Sequence, residues 1–136
     1  MSTTGYSGTP LINKLGIKPA MKVLLVNKPA DYFQLLETDI SKQLCGKNET
    51  PDLIHVFVKN YKEYETMMKE LKPLIKNNTE IIIWISWYKK ASKIATDITE
   101  DDIRNYALKN NLVDIKVCAV SEIWSGLKLV VPKALR

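Results

Sequence analysis

The stretch Leu112–Val131, LVDIKVCAVSEIWSGLKLVV, decides the fold. Two apolar runs, residues 112–120 and 124–131, are separated only by Ser121-Glu122-Ile123. Three residues are too few for the crossover helix that joins parallel neighbours, so these two strands must pair antiparallel. The sequence therefore predicts that the sheet finishes in a β-hairpin.

Upstream of this hairpin, strands and helices alternate along the chain. Near-continuous apolar runs of this kind are typical of strands that are covered on both faces, as in a parallel sheet. Alternation of strand and helix favours an α/β fold with right-handed crossovers. The expected fold class is α/β, with a mostly parallel, Rossmann-like open sheet that is flanked by helices and ends in an antiparallel hairpin. Strands are predicted at residues 21–26, 53–58 and 80–87, with a weak edge strand near 43–45, and helices at 10–15, 30–36, 60–76 and from 99 to about 109.

Local sequence signals mark the ends of several helices. Asn60 with Glu63 three residues later is typical of a capping box, and Thr99 is expected to cap the last helix. Gly16 is expected to take a left-handed conformation after the first helix. Pro73 lies inside an apolar stripe of helical spacing and predicts a kink or an early end near Leu71.

Length and composition indicate one folded unit. The chain has 136 residues, of which 46% are hydrophobic and only 5 are Gly and 6 are Pro. We expect a single α/β domain over residues 1–136, with residues 1–8 forming a flexible arm. No apolar run approaches the ~20 residues of a membrane span. The first residues lack the apolar core of a signal peptide, so a cytoplasmic location and no membrane partner are expected.

The charge balance favours small anions over nucleic acid. The chain carries 20 basic and 15 acidic residues, and all basic residues except Arg104 and Arg136 are Lys. Base reading and bidentate phosphate contacts favour Arg, so no specific nucleic-acid partner is expected. Cys45 and Cys118 are expected to be reduced and unpaired, and without further Cys or His clusters no metal site is predicted.

The predicted order of elements resembles the core of class I S-adenosylmethionine-dependent methyltransferases. The segment LGIKPAMKVL, residues 15–24, is similar to the lead-in to that family's first strand. The resemblance implies a glycine-rich turn after this strand, where the backbone approaches the cofactor, and further strands that flank its adenosine. Here the turn is Val26-Asn27-Lys28-Pro29, without glycine. We therefore expect no cofactor and no S-adenosylmethionine binding.

A second resemblance covers almost the whole chain. Segments 5–11, 52–55, 84–92 and 124–128, which read GYSGTPL, DLIH, WISWYKKAS and WSGLK, are similar to a family of small bacterial proteins known as a domain of unknown function. That family carries no assigned activity, so the resemblance implies no catalytic residue.

Candidate ligand-binding residues follow the predicted parallel strands. In open α/β sheets ligands gather at the carboxyl ends of the strands, and lysines with hydroxyl and amide groups there could hold an anion. The alternative is an ordinary solvated rim, since 18 lysines must lie somewhere. The candidate residues of this anion rim are Asn27, Lys59, Ser86, Trp87, Lys89, Lys90 and Ser92.

Catalytic machinery is not predicted from the sequence. His55 is the single histidine and lies within an apolar strand, so it is expected to be a hydrogen-bonded core residue. The favoured function is a non-catalytic protein that binds a small anionic ligand or a protein partner. The alternatives are a diverged S-adenosylmethionine-dependent methyltransferase or other nucleotide-cofactor enzyme, and an interaction module that pairs through the sheet edge near residues 37–52. The sequence leaves the oligomeric state open.

Overall fold

A five-stranded sheet forms the centre of the molecule, for which a computed structural model describes residues 9–136. The predicted arm at residues 1–8 lies outside the described residues. The strand order is β1-β2-β3-β5-β4. β1, β2 and β3 are parallel, and β5 runs antiparallel to both of its neighbours. The predicted α/β class, parallel core and final hairpin are confirmed. The strands are β1 (Val23–Val26), β2 (Leu53–Phe57), β3 (Ile82–Tyr88), β4 (Val113–Ala119) and β5 (Trp124–Val130).

Helices cover both faces of the sheet and bury two apolar clusters. One cluster contains side chains of α1 and α2, and the other contains side chains of α3 and α4. β3 is the middle strand, and five of its seven residues are buried. Within residues 9–136 no helix has both the length and the apolar character needed to cross a bilayer. The helices are α1 (Leu11–Leu15), α2 (Tyr32–Leu36), α3 (Tyr61–Asn77) and α4 (Glu100–Lys109), with short 3-10 turns at Ser41–Gln43, Lys90–Ser92 and Lys133–Leu135.

Most of the predicted helix ends are confirmed, but the first helix begins at Leu11 with Pro10 as its N-cap, instead of at Pro10. Asn60 accepts a hydrogen bond from the backbone N–H of Glu63, and Thr99 forms a capping box with Asp102. Gly16 has φ 78°. The early end near Leu71 is wrong, because α3 continues through Pro73 to Asn77. Proline has no N–H to donate to the carbonyl four residues earlier in the helix. Because Pro73 is exposed, its ring and that carbonyl lie on the solvent side of α3.

The two edges of the sheet differ. Beside β1, the predicted weak strand is reduced to a single parallel bridge between Val23 and Leu44. The other edge is β4, which is interrupted by a bulge between Asp114 and Lys116. Cys45 follows Leu44 at the first edge and Cys118 lies in β4, so the strand order keeps the two free thiols apart.

Candidate functional site

The turn after β1 reverses the chain without glycine. Asn27 has φ 57°, a left-handed conformation that asparagine tolerates better than other non-glycine residues. Both Asn27 and Lys28 are exposed residues at the carboxyl end of β1. Asparagine therefore takes the left-handed conformation in a turn that has no glycine, and the absence of S-adenosylmethionine binding expected from the missing glycines stays untested.

The side chain of Lys28 is drawn toward α2. Its Nζ lies 5.6 Å from the centre of the Phe33 ring, which is a cation–π distance. This contact places the ammonium group of Lys28 beside the start of α2.

A groove of about 700 Å³ follows the carboxyl end of β3. Its volume lies within the ~300–1,000 Å³ that is typical of small-ligand sites. The groove runs from the end of β3 to the first turn of α4. It is lined by Trp87, Tyr88, Lys89, Lys90, Lys93, Ile94, Ala95, Thr96, Ile98, Thr99, Glu100 and Asp101.

Hydrogen bonds and a ring contact fix the loop after β3, which forms one side of this groove. The N–H of Lys89 donates to the carbonyl of Ile123 at 2.9 Å, and the hydroxyl of Ser92 donates to the carbonyl of Lys89 at 2.6 Å. The Tyr88 ring stacks on Trp124 with a centroid distance of 4.4 Å. The loop after β3 is therefore anchored to the start of β5.

Two further hydrogen bonds tie the loop to the end of β2. The hydroxyl of Thr96 donates to the carbonyl of Lys59 at 2.7 Å. The carboxylate of Asp97 accepts a hydrogen bond from the backbone N–H of Tyr61, also at 2.7 Å. These contacts bring the loop after β3 and the turn after β2 together at one edge.

The electrostatic balance of the groove is positive. The carboxylates of Glu100 and Asp101 both bind the guanidinium of Arg104, which also donates to Asp114 at 3.0 Å. The hydrogen bond to Asp114, followed by that to Glu100, raises the pKa of Arg104. Within the described part of the chain, the groove lysines form no ion pair. The groove lining carries three lysine charges against the two carboxylates of Glu100 and Asp101, so a small net positive charge remains. They are Lys89, Lys90 and Lys93.

Some of the predicted rim residues lie at the groove after β3, whereas others use their polar groups inside the protein. Trp87, Lys89 and Lys90 line one groove, and Lys59 is joined to it through Thr96. Ser92 uses its hydroxyl within the loop, since it donates to Lys89 and accepts from the N–H of Ile94. Anion binding by this rim stays a prediction.

Ser86 lies inside the molecule instead of at the rim. It is the fifth residue of β3 and is completely buried, and its hydroxyl lies 2.7 Å from Nε2 of His55. The Tyr32 hydroxyl lies 2.8 Å from Nδ1 of the same ring. His55 is therefore the core residue that was expected, and burial lowers its pKa to about 3. With both ring nitrogens occupied and no exposed surface, this cluster stabilises the interior and has no access to a substrate.

Sequence reasoning missed the Tyr32–His55–Ser86 cluster and the role of Arg104. The members of the first cluster are 23 and 31 positions apart, so no local spacing links them. For Arg104 a local signal exists, since Glu100 and Asp101 precede it by four and three residues. Only the contact with Asp114 depends on the tertiary structure.

Comparisons with known proteins identify the fold. No protein-family model matches the chain, and neither does any curated protein. A Rossmann-superfamily protein from Streptococcus agalactiae shares 9% identity and a TM-score of 0.55, over 96% of this chain and 71% of that one. The ribosomal protein L11 methylase of Lactobacillus delbrueckii subsp. bulgaricus shares 12% identity and a TM-score of 0.51, over 89% and 74%. The tRNA methyltransferase TrmK of B. subtilis shares 11% identity and a TM-score of 0.50, over 91% and 66%.

These matches correct the functional interpretation drawn from the sequence. A non-catalytic binding protein was favoured, whereas structures that share the fold include a tRNA methyltransferase and a ribosomal-protein methylase. The alternative reading, a diverged methyltransferase, is the better supported one. At 9–12% identity the likeness concerns the backbone arrangement. The chain has the Rossmann-like α/β fold that these methyltransferases also have.

Proposed function

We propose that this protein is a diverged methyltransferase-type enzyme whose reaction site lies at the carboxyl edge of β1, β2 and β3. The observation that carries the proposal is the sheet order β1-β2-β3-β5-β4, with the antiparallel β5 between two strands of the opposite direction. Solved methyltransferases superpose on about nine-tenths of the chain. In such sheets ligands bind outside the carboxyl ends of the parallel strands.

The residues after β1 fit one part of an S-adenosylmethionine-type cofactor. Asn27 makes a left-handed turn, and both Asn27 and Lys28 are exposed at the edge where a ligand would approach. The adenosine part of the cofactor would have fewer protein contacts, because only the bridge between Val23 and Leu44 extends the sheet beyond β1 within residues 9–136. When bound, the cofactor would supply the methyl group. The role of Asn27 is to shape the turn on which it rests.

The groove after β3 is the proposed substrate side of the site. Lys89, Lys90 and Lys93 favour a substrate with an anionic group, and the half-buried ring of Tyr88 offers aromatic surface beside them. No general base is assigned, because His55 is buried and the groove carboxylates are bound to Arg104. The site therefore suits a nucleophile that reacts without proton removal by the protein, or one that is deprotonated in solution.

Titration calorimetry with S-adenosylmethionine and S-adenosylhomocysteine tests this proposal. We expect saturable binding at one site. Asn27→Gly should keep the affinity, because glycine adopts positive φ freely. Asn27→Val should lower the affinity at least tenfold, because a β-branched residue disfavours that conformation.

Asn111→Val is the matched control. Asn111 also has a positive φ, 65°, but it follows α4 and lies outside the groove after β3. The same substitution at a comparably strained position should therefore leave cofactor affinity within twofold of the parent. Absence of binding at millimolar cofactor would contradict the proposal, and so would equal losses from the two valine variants.

A further inference from the structure

A second groove lies along the later part of α3, away from the capped end of this helix. Its volume is about 410 Å³, which is also within the usual range for small ligands. It is bounded by the second half of α3, the residues that follow α4, and the last described turn of the chain. Its lining consists of Met68, Lys69, Lys72, Ile75, Lys76, Thr79, Tyr106, Asn110, Asn111, Leu112, Val131 and Leu135. None of these residues lines the groove after β3.

The floor of this second groove is apolar. Leu112 and Val131 belong to the buried core, and Met68 and Ile75 reach the floor from α3. Leu135 lines it although 53% of this residue is exposed. A large apolar side chain in water is disfavoured, so a ligand that covers Leu135 would bind more tightly for that contact.

The segment that carries Leu135 is held in place. Arg136 donates through Nε to the carbonyl of Val131 at 2.8 Å and forms an ion pair with Glu80 at 3.5 Å. Leu135 itself donates its N–H to the carbonyl of Pro132 at 2.9 Å. The turn that carries Leu135 is therefore fixed before a ligand binds, which reduces the entropic cost of ligand binding.

Lys69, Lys72 and Lys76 line one side of the same groove, and we call this row the lysine ledge. Lys69, Lys72 and Lys76 are spaced by three and four residues, so they are neighbours on the surface of α3. All three are exposed, and none forms an ion pair with another residue in 9–136. Thr79 and Asn111 add hydrogen-bonding groups to the lining.

We propose that this groove binds a small anionic amphiphile, with its apolar chain against Ile75 and Leu135 and its anionic head on the lysine ledge. The charge of the ledge selects an anion, and the apolar floor selects a chain instead of a free inorganic ion. The head group is a carboxylate or a phosphate, since both accept hydrogen bonds from ammonium groups. This site goes beyond the proposed function and does not depend on it.

Titration calorimetry with three probes below their micelle concentrations tests the site. They are dodecanoate, dodecyl phosphate and dodecyltrimethylammonium, which share a chain and differ in the head group. We expect saturable binding of at least one anion at one site per chain, with the tighter anion identifying the head group. The cation should bind at least tenfold more weakly. Hexanoate should bind at least tenfold more weakly than dodecanoate, because it covers less of the apolar floor.

Variants locate the binding. The triple variant Lys69→Gln, Lys72→Gln, Lys76→Gln should lose at least tenfold in affinity. The control triple, Lys18→Gln, Lys42→Gln, Lys62→Gln, removes the same three charges from exposed positions outside this groove and should change affinity by less than twofold. Leu135→Glu, at an exposed position, should keep the fold and weaken binding of the anions.

Three results would overturn the proposal. One is absence of saturable binding of either anion. Another is an equal loss in the two lysine triples, which would mean that only the general positive field matters. The third is unchanged affinity in Leu135→Glu.

Discussion

Replacing Tyr32 by Phe tests the buried polar cluster most cleanly. The Tyr32 hydroxyl lies 2.8 Å from Nδ1 of His55, and both side chains have 0% exposure. Phenylalanine keeps the ring and its edge contacts with Phe33 and Phe57, so the substitution removes one hydrogen bond and leaves little cavity. What remains is a completely buried imidazole nitrogen that has lost its hydrogen-bond partner.

The magnitude follows from that loss. A buried polar group without a partner costs about 1–3 kcal/mol. We expect Tyr32→Phe to lower the free energy of unfolding by this amount, out of a total of about 5–15 kcal/mol for a domain. With an m value of about 1–3 kcal/mol/M, the urea midpoint should fall by roughly 1 M.

Urea denaturation followed by tryptophan fluorescence measures this change, with Tyr88→Phe as the control. Tyr88 is half-buried, and its hydroxyl makes no hydrogen bond to the described residues. Its loss should change the free energy of unfolding by less than about 0.5 kcal/mol. If Tyr32→Phe is as stable as Tyr88→Phe, the cluster does not stabilise the fold in the way argued here.

Three further predictions concern stability. The pKa of His55 is about 3 in the fold against 6.5 ordinarily, so unfolding takes up a proton between these values. As the pH is lowered from 6 to 4, His55 should therefore reduce the free energy of unfolding by about 1.4 kcal/mol per pH unit. Denaturation of His55→Leu at the same pH values should show a smaller dependence on pH. Gly126→Ala should lower the free energy of unfolding by about 1–3 kcal/mol, because the added Cβ would lie 3.1 Å from the Val120 side chain. Gly46→Ala is the control and should leave the free energy of unfolding unchanged, because its Cβ would meet nothing within 4 Å. Equal urea midpoints for the two variants would refute the crowding argument. Pro73→Ala should raise the free energy of unfolding by about 1 kcal/mol or more, because alanine restores a helical hydrogen bond, and a less stable variant would contradict this.

The fold was largely predictable because its signals are local. The short connection at Ser121-Glu122-Ile123 forces the hairpin, and uninterrupted apolar runs mark the covered strands. Pro73 is the instructive failure. Its sequence context shows a breaker inside a helix, but the solvent exposure that makes it tolerable becomes visible only once α3 has packed.

The site was predictable only in position. Strand ends could be located from the sequence, so Trp87, Lys89 and Lys90 could be placed at the carboxyl end of β3, where they line a groove; ligand binding there stays a prediction. The use of the Ser92 and Ser86 hydroxyls depends on partners that the tertiary structure supplies. The turn at Asn27 shows the same limit, because asparagine can adopt either sign of φ and its neighbours do not specify which.

A crystal structure of the protein grown with S-adenosylhomocysteine tests the central claim most directly. The account predicts ligand density over the backbone of Asn27 and Lys28, with the sulfur end directed toward the groove that Lys89 and Lys90 line. Density confined to another surface, or an unoccupied β1 turn in crystals saturated with ligand, would contradict the account.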